Sequence, residues 1–271
     1  MSKRIYSTLL IFILLSLSAR VEAQFGEPEL KNKSESRNLY DEGYKSGFGF
    51  LFTINDFGFG AGGQFRKTIN TNTEGLITLR VTGIKDPKEQ TYIDYYFGFK
   101  TTPNKYKRII SIPLNIGVKR RLFAEQISDN FRVFTSISAG PVLAYSFPYF
   151  NDSNNNGFQE NNINVYGISE KSYDIFTGWR GGEPHYGWNG NIELGIDFGS
   201  NFANLTTLQF GYTFNYFKDG LQIMQPKEPK LTPRGQLQYD NMGNLLLTDS
   251  FDARKFYGSA QISFIFGWMW K

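Results

Sequence analysis

From residue 46 onward the chain repeats one pattern, short runs in which apolar side chains occupy every second position. The clearest lies at residues 205–217, where Leu208, Phe210, Tyr212, Phe214 and Tyr216 share one phase and Thr207, Gln209, Gly211, Thr213 and Asn215 the other. Successive side chains of a strand point to opposite faces, so this run predicts a strand with one greasy and one polar face. Residues 186–198 repeat it, with Tyr186, Trp188, Ile192, Leu194, Ile196 and Phe198 opposite Asn189, Asn191, Glu193, Gly195 and Asp197. The final run QISFIFGWMWK aligns Ile262, Phe264, Phe266, Trp268 and Trp270. With segments at 57–66, 76–84, 91–100, 109–119 and 131–147, the expected count is eight strands. Residues 47–54 also alternate, but their phase switches at Asn55-Asp56. A tight hairpin there would make the count odd, whereas a bulge within one long first strand keeps it even, so parity favours the bulge.

Periodicity alone fits either a sandwich, whose greasy faces meet, or a membrane barrel, whose greasy faces meet lipid around a polar lumen. Three features favour the barrel. Runs of about ten residues match a tilted crossing of the hydrocarbon layer. The aromatics Tyr186, Trp188, Trp268 and Trp270 gather at strand ends, where interfacial girdles lie. The connections alternate in length, with long ones at 148–185 and 218–254 and shorter ones at 85–90, 120–130 and 199–204. The expected fold is all-β: a closed, antiparallel, up-and-down transmembrane β-barrel of eight strands, ten being the alternative, with short periplasmic turns and long extracellular loops.

Composition adds a location. Lys3 and Arg4, the apolar run Leu9 to Leu17 and the small-residue site before Gln24 have the plan of a secretory signal, too short to span a bilayer. The expected organisation is a signal peptide at 1–23, a periplasmic N-terminal segment with little order at 24–45, and a barrel at 46–271. Loss of Lys3, Arg4, Arg20 and Glu22 with the signal lowers the formal charge from +4 to +2. Nothing in what remains resembles a nucleic-acid-binding surface. The chain has no cysteine, which excludes disulfides, thiol catalysis and an N-terminal lipid anchor on cysteine. Aromatics reach 17% at a mean hydropathy of −0.37, as expected where greasy residues alternate with polar ones.

The terminal run SFIFGWMWK is similar to the C-terminal sorting signal of Gram-negative outer-membrane barrels, with Lys271 as a departure after the last aromatic. The stretches INDFGFGAGGQFRK and GIKDPKEQ resemble small barrels of the PorT-like and OmpX-like superfamily. That resemblance covers roughly residues 46–271. It implies an outer-membrane location, contact with outer-membrane lipid, and recognition of the last strand by the barrel-assembly machinery. It implies no reaction.

Candidate chemistry is sparse. His185 is the sole histidine, with no serine in a recognisable motif beside it, so the expectation is a non-enzymatic protein that binds no cofactor. FNDSNNNGFQENN places Asp152, Asn154, Asn156 and Glu160 at calcium-loop spacing, but Ile163 stands where a bidentate Glu is wanted. The polar faces put Arg66, Arg80, Asp94, Lys100, Lys119, Arg132, Glu193 and Asp197 in the lumen. An eight-stranded barrel has room there only for side chains, so a paired charge network plugging the bore is expected. The expected role is structural, or that of an interaction or secretion and envelope-assembly accessory acting through the loops. The alternatives are a conduit for a small or apolar solute and a lipid-modifying enzyme dependent on His185. In the loop 218–254, QLQYDNMGNLLLTDS predicts a protruding hairpin.

Overall fold

The computed structural model of the chain describes residues 37–93, 100–127, 129–152, 155–159 and 176–271. In chain order its strands are β1 (Ser46–Asn55), β2 (Gly58–Asn70), β3 (Thr73–Ile84), β4 (Tyr92–Ile93), β5 (Lys100–Thr101), β6 (Lys107–Arg121), β7 (Phe131–Pro148), β8 (Glu183–Phe198), β9 (Asn204–Leu221), β10 (Lys227–Pro229), β11 (Leu247–Asp249) and β12 (Arg254–Trp270). Eight of them form a closed antiparallel barrel in the order β1-β12-β9-β8-β7-β6-β3-β2. The seam joins the first strand to the last, from Ser46 opposite Trp270 to Asn55 opposite Gln261. Closure leaves the ring without a free edge.

Both ends of the ring-forming chain, Ser46 and Trp270, lie at what we term the lower end. The turns 71–72, 122–130 and 199–203 are also there. The upper end carries the two-residue turn 56–57 and the long connections 85–106, 149–182 and 222–253. The wall is uneven: β1 has 10 residues, whereas β7 and β9 have 18 each.

Two strand assignments change. Residues 46–70 form a tight hairpin, not one bulged strand, because Gly58 at φ 121° lets the chain reverse right after Asp56-Phe57. The described residues of the segment 91–100 do not join the wall: β4 and β5 pair with each other in a separate two-stranded sheet. Alternation reports a strand with two unlike faces but does not name its partner. The two changes cancel in the count, which stays at eight.

The faces are the reverse of a water-soluble core over most of the wall. Outward positions carry exposed Phe50, Phe52, Phe59, Ile77, Leu79, Ile116, Ile192, Leu194, Phe210, Phe264 and Phe266, with Phe59 81% exposed. The alternate, inward positions bury Gln64, Arg66, Arg80, Asn115, Lys119, Asn189, Asn191, Glu193, Asp197, Gln209 and Gln261. Near the upper end the interior changes character. Inward Ile84, Ile109, Val142, Ala144, Phe217 and Tyr257 form an apolar cluster. On the outside, the greasy runs end there in Lys85, Arg108, Lys218 and Arg254.

Candidate functional site

The lumen is a polar plug built from opposite walls. At its lower level Arg66 (β2), Glu74 (β3), Lys119 (β6) and Asp197 (β8) meet. Arg66 Nη1 lies 3.2 Å from Asp197 Oδ1 and 3.9 Å from Glu74 Oε2, and Lys119 Nζ 2.9 Å from Glu74 Oε1. Lys119 also pairs with Asp197. Arg66, with 0% exposure, donates from Nε to Gln64 Oε1 at 2.8 Å and from Nη2 to Thr207 Oγ1 at 2.9 Å. The Thr207 hydroxyl in turn donates to Asp197 Oδ1 at 2.5 Å. The ammonium of Lys119 rests 4.3 Å from the Phe134 ring centre. Charges removed from water need such pairing and added hydrogen bonds to persist.

Above this cage Arg80 crosses the bore. Its guanidinium donates to Gln261 Oε1 (2.8 Å), Asn191 Oδ1 (2.7 Å) and Thr213 Oγ1 (2.8 Å), side chains on three other strands. Gln261 Nε2 then donates to Glu193 Oε1 at 2.8 Å, so a neutral amide links the arginine to its carboxylate. The inward phase keeps glycine where the bore is crowded. A Cβ on Gly211 would come within 2.7 Å of Glu193 Cγ.

The lower mouth is closed as well. Arg132 Nη1 donates to the carbonyls of Asp129 and Gly199, both at 2.6 Å, while its guanidinium covers Phe202. Arg121 bonds Asp129 Oδ1 and the Arg37 carbonyl, each at 2.7 Å. The residues before β1 were expected to have little order, yet a turn at Asn38–Gly43 packs here with Asn38 buried. The crevice left among Asn38, Glu74, Lys119, Arg132 and Asp197 is about 20 Å3. A water molecule needs about 10–15 Å3.

Of the expected lumen residues, Arg66, Arg80, Lys119, Arg132, Glu193 and Asp197 all lie inside, five of them in the two linked groups and Arg132 at the mouth. Asp94 lies outside the described residues, and Lys100 sits on β5, outside the ring. Sequence reasoning missed Glu74, which extends the inward phase of Thr78 and Arg80 two residues before the segment assigned to that strand. It also missed the neutral bridges Gln64 and Gln261. The girdle aromatics divide between the ends: exposed Tyr186 and Trp188 above, exposed Trp268 and Trp270 below. At the seam the Trp268 ring centre lies 6.4 Å from that of Phe48.

The upper connections hold the remaining candidates. Asp152 Oδ1 accepts from the backbone of Asn156 (3.1 Å) and Oδ2 from that of Gly157 (2.9 Å), so this carboxylate folds its own turn. Tyr106 also donates to Asp152 Oδ2, at 3.2 Å. Burial and that carboxylate push the Tyr106 hydroxyl up to about 12. Asn154 and Glu160 lie outside the described residues, among which no group of acidic or histidine side chains could hold a metal ion. His185 stands opposite Ala144 near the top of β8, beside the Lys107–Glu183 ion pair (3.3 Å).

The connection 222–253 is a shaped head. The backbone amides of Lys230, Gln238 and Leu246 bond in a cycle at 2.8–3.0 Å, drawing three segments together. Its tip is wound around Asp240, whose Oδ1 accepts from Met242 and Asn244, each at 2.8 Å. A bond from the Asn244 side chain, together with those backbone bonds, holds the Asp240 carboxyl below the usual range. Met242 is left 87% exposed.

No protein-family model matches the chain, and no curated protein does. Among solved structures, the crystal structure of Neisserial surface protein A aligns over 81% of this chain and 93% of that one. The TM-score is 0.30 and the identity 7%, a likeness too slight to carry a conclusion.

Proposed function

We propose that the protein is an integral outer-membrane β-barrel, exported by a cleaved signal at residues 1–23, with a plugged bore and no enzymatic activity. One observation carries this reading: a closed ring exposes its oil and buries its charge. Hydrocarbon offers backbone groups no hydrogen bonds, so only helices and closed barrels are compatible with it. An outward apolar band flanked by aromatics is what lipid requires of such a barrel. The lower end, with its short turns, faces the periplasm; the upper end, with three long connections, faces outward. The last strand is the segment offered to the barrel-assembly machinery.

Because the bore is crossed by Arg80 and sealed at its lower mouth, we assign the role to the outer connections and not to transport. The shaped head at 222–253, tipped by Met242, is the surface through which a structural or envelope-assembly partner would be met. Density-gradient fractionation of membranes and electrophoresis with and without heating test the location. The expected outcome is outer-membrane sedimentation with faster migration before heating, and recovery as soluble periplasmic protein would refute it. In planar bilayers the refolded protein is expected to give no steady conductance, whereas stable open channels would restore the conduit.

A further inference from the structure

The eight strands of the ring sort their charges by sign. Their outward phase carries Lys67, Arg108, Arg120, Lys218 and Arg254 and no acid, whereas Glu74, Glu183, Glu193, Asp197 and Asp219 all fall on the inward phase. The inward set needs both signs, because charges removed from water persist in pairs. The outward set has no such need. Water accepts either sign, so a surface of one sign points to a partner of the other.

At the upper rim this sorting acquires a shape across β8, β9 and β12. The register sets Trp188 opposite Tyr216 and Tyr216 opposite Phe256, one aromatic row over three strands. The Tyr216 and Phe256 rings lie 4.7 Å apart, and Trp188 and Phe256 are 64% and 62% exposed. Above them in the same outward phase stand Lys218 on β9 and Arg254 on β12, both exposed. Arg254 Nε donates to the Phe256 carbonyl at 2.8 Å, which keeps the guanidinium beside the row. Among the described residues neither cation has an ion-pair partner, unlike Arg66 and Lys119 inside.

An occupant that suits this rim has an anionic head and an apolar body. Long cationic stems lie along apolar surface and lift their charge to its edge, and the arginine fork matches phosphate oxygens. We propose that Lys218 and Arg254 bind the phosphate of an anionic membrane lipid, whose acyl chain lies along Trp188, Tyr216 and Phe256. The assignment rests on the membrane reading of the greasy band and adds to it a lipid class and a place.

The full chain is refolded into vesicles of phosphatidylcholine, whose ammonium offsets its phosphate, with a minor share of phosphatidylglycerol. One lipid at a time carries brominated acyl chains, which quench tryptophan on contact, and the Trp188 signal is the difference between the parent and Trp188→Phe. Brominated phosphatidylglycerol is expected to quench Trp188 well beyond its share of the bilayer. Each cation near a membrane surface contributes about fivefold to anion binding. Lys218→Gln or Arg254→Gln should therefore lower the preference by that factor, and the double variant should abolish it. Lys227→Gln, on the distant β10, should leave it unchanged. Quenching by both lipids in proportion to their shares, or an undiminished preference in a double variant that still migrates as a folded barrel, would overturn the proposal and leave the membrane reading intact. An equal preference for a brominated fatty acid would overturn phosphate as the ligand. Quenching by neither lipid, at Trp188 or at Trp268 and Trp270, would overturn the membrane reading as well.

Discussion

The lower and upper halves of the bore use the same alternating strands to opposite ends. On β9 the inward phase runs Thr207, Gln209, Gly211, Thr213, Asn215 and then turns apolar at Phe217 and Leu221, while the outward phase runs Phe210, Tyr212, Phe214, Tyr216 and then turns charged at Lys218. β12 does the same between Ser259 and Tyr257 inside and between Phe256 and Arg254 outside. Both faces exchange polarity at one height. In the upper collar the wall behaves as an ordinary protein does, hiding oil from water. Below it, the outside is greasy and the inside pairs its buried charges through side chains from opposite strands. The exchange is a change of pattern along the barrel axis, which composition averaged over the chain conceals.

Substitutions that trade the two halves' chemistry break or sharpen this contrast. The largest effect is expected for Asp197→Leu, which leaves Lys119 and Arg66 short of an anion inside the lower cage. Stripping one partner from a buried ion pair costs about 3–5 kcal/mol, to be read as a lowered urea midpoint of the refolded barrel. Phe217→Ala in the collar is expected to lose about 3 kcal/mol by leaving a cavity, in the same assay. On the outer face, Phe264→Arg is expected to cost about 2–4 kcal/mol if it meets the middle of a bilayer, measured by folding into vesicles. The same change in micelle-free buffer has no lipid to report on. Gln209→Leu runs the other way. Both amide atoms of Gln209 are buried without partners among the described residues, so removing them is expected to leave stability unchanged or raised, within about 1 kcal/mol.

The smallest effect concerns the upper connections. Tyr106 has its hydroxyl raised to about 12 in the fold against about 10 when free. Its bond to Asp152 therefore holds fully below about pH 10. The bond is lost as pH rises through about 12. An alkaline titration followed by phenolate absorbance, parent against Tyr106→Phe, should show one late-ionising tyrosine missing from the variant.

Much of this was legible in the sequence because the signal has period two, and a slip of one residue would turn every greasy side chain inward. The inward placement of Arg66, Arg80, Lys119, Glu193 and Asp197 followed from phase alone. What phase does not carry is pairing. Ile93, Tyr95, Phe97 and Phe99 alternate as well as any wall strand, yet β4 and β5 bind each other, and only three-dimensional neighbours decide that. At Asp56-Phe57 parity favours a bulge over a hairpin only while 91–100 is counted as a wall strand, so the two assignments change together. The neutral bridge Gln261 was invisible for a different reason. It matters only because Arg80 and Glu193, far apart in the chain, lie on either side of it.

The seam between β1 and β12 has a consequence in time. Its partners, Ser46 and Trp270, stand at the two extremes of the ring-forming chain, so a nascent polypeptide exposes two raw margins until its last residues are made. Contacts this remote in sequence form slowly, and unpaired strand margins invite joining to the wrong chain. The two margins that meet at the seam therefore stay open until the most sequence-remote pairing of the ring has formed.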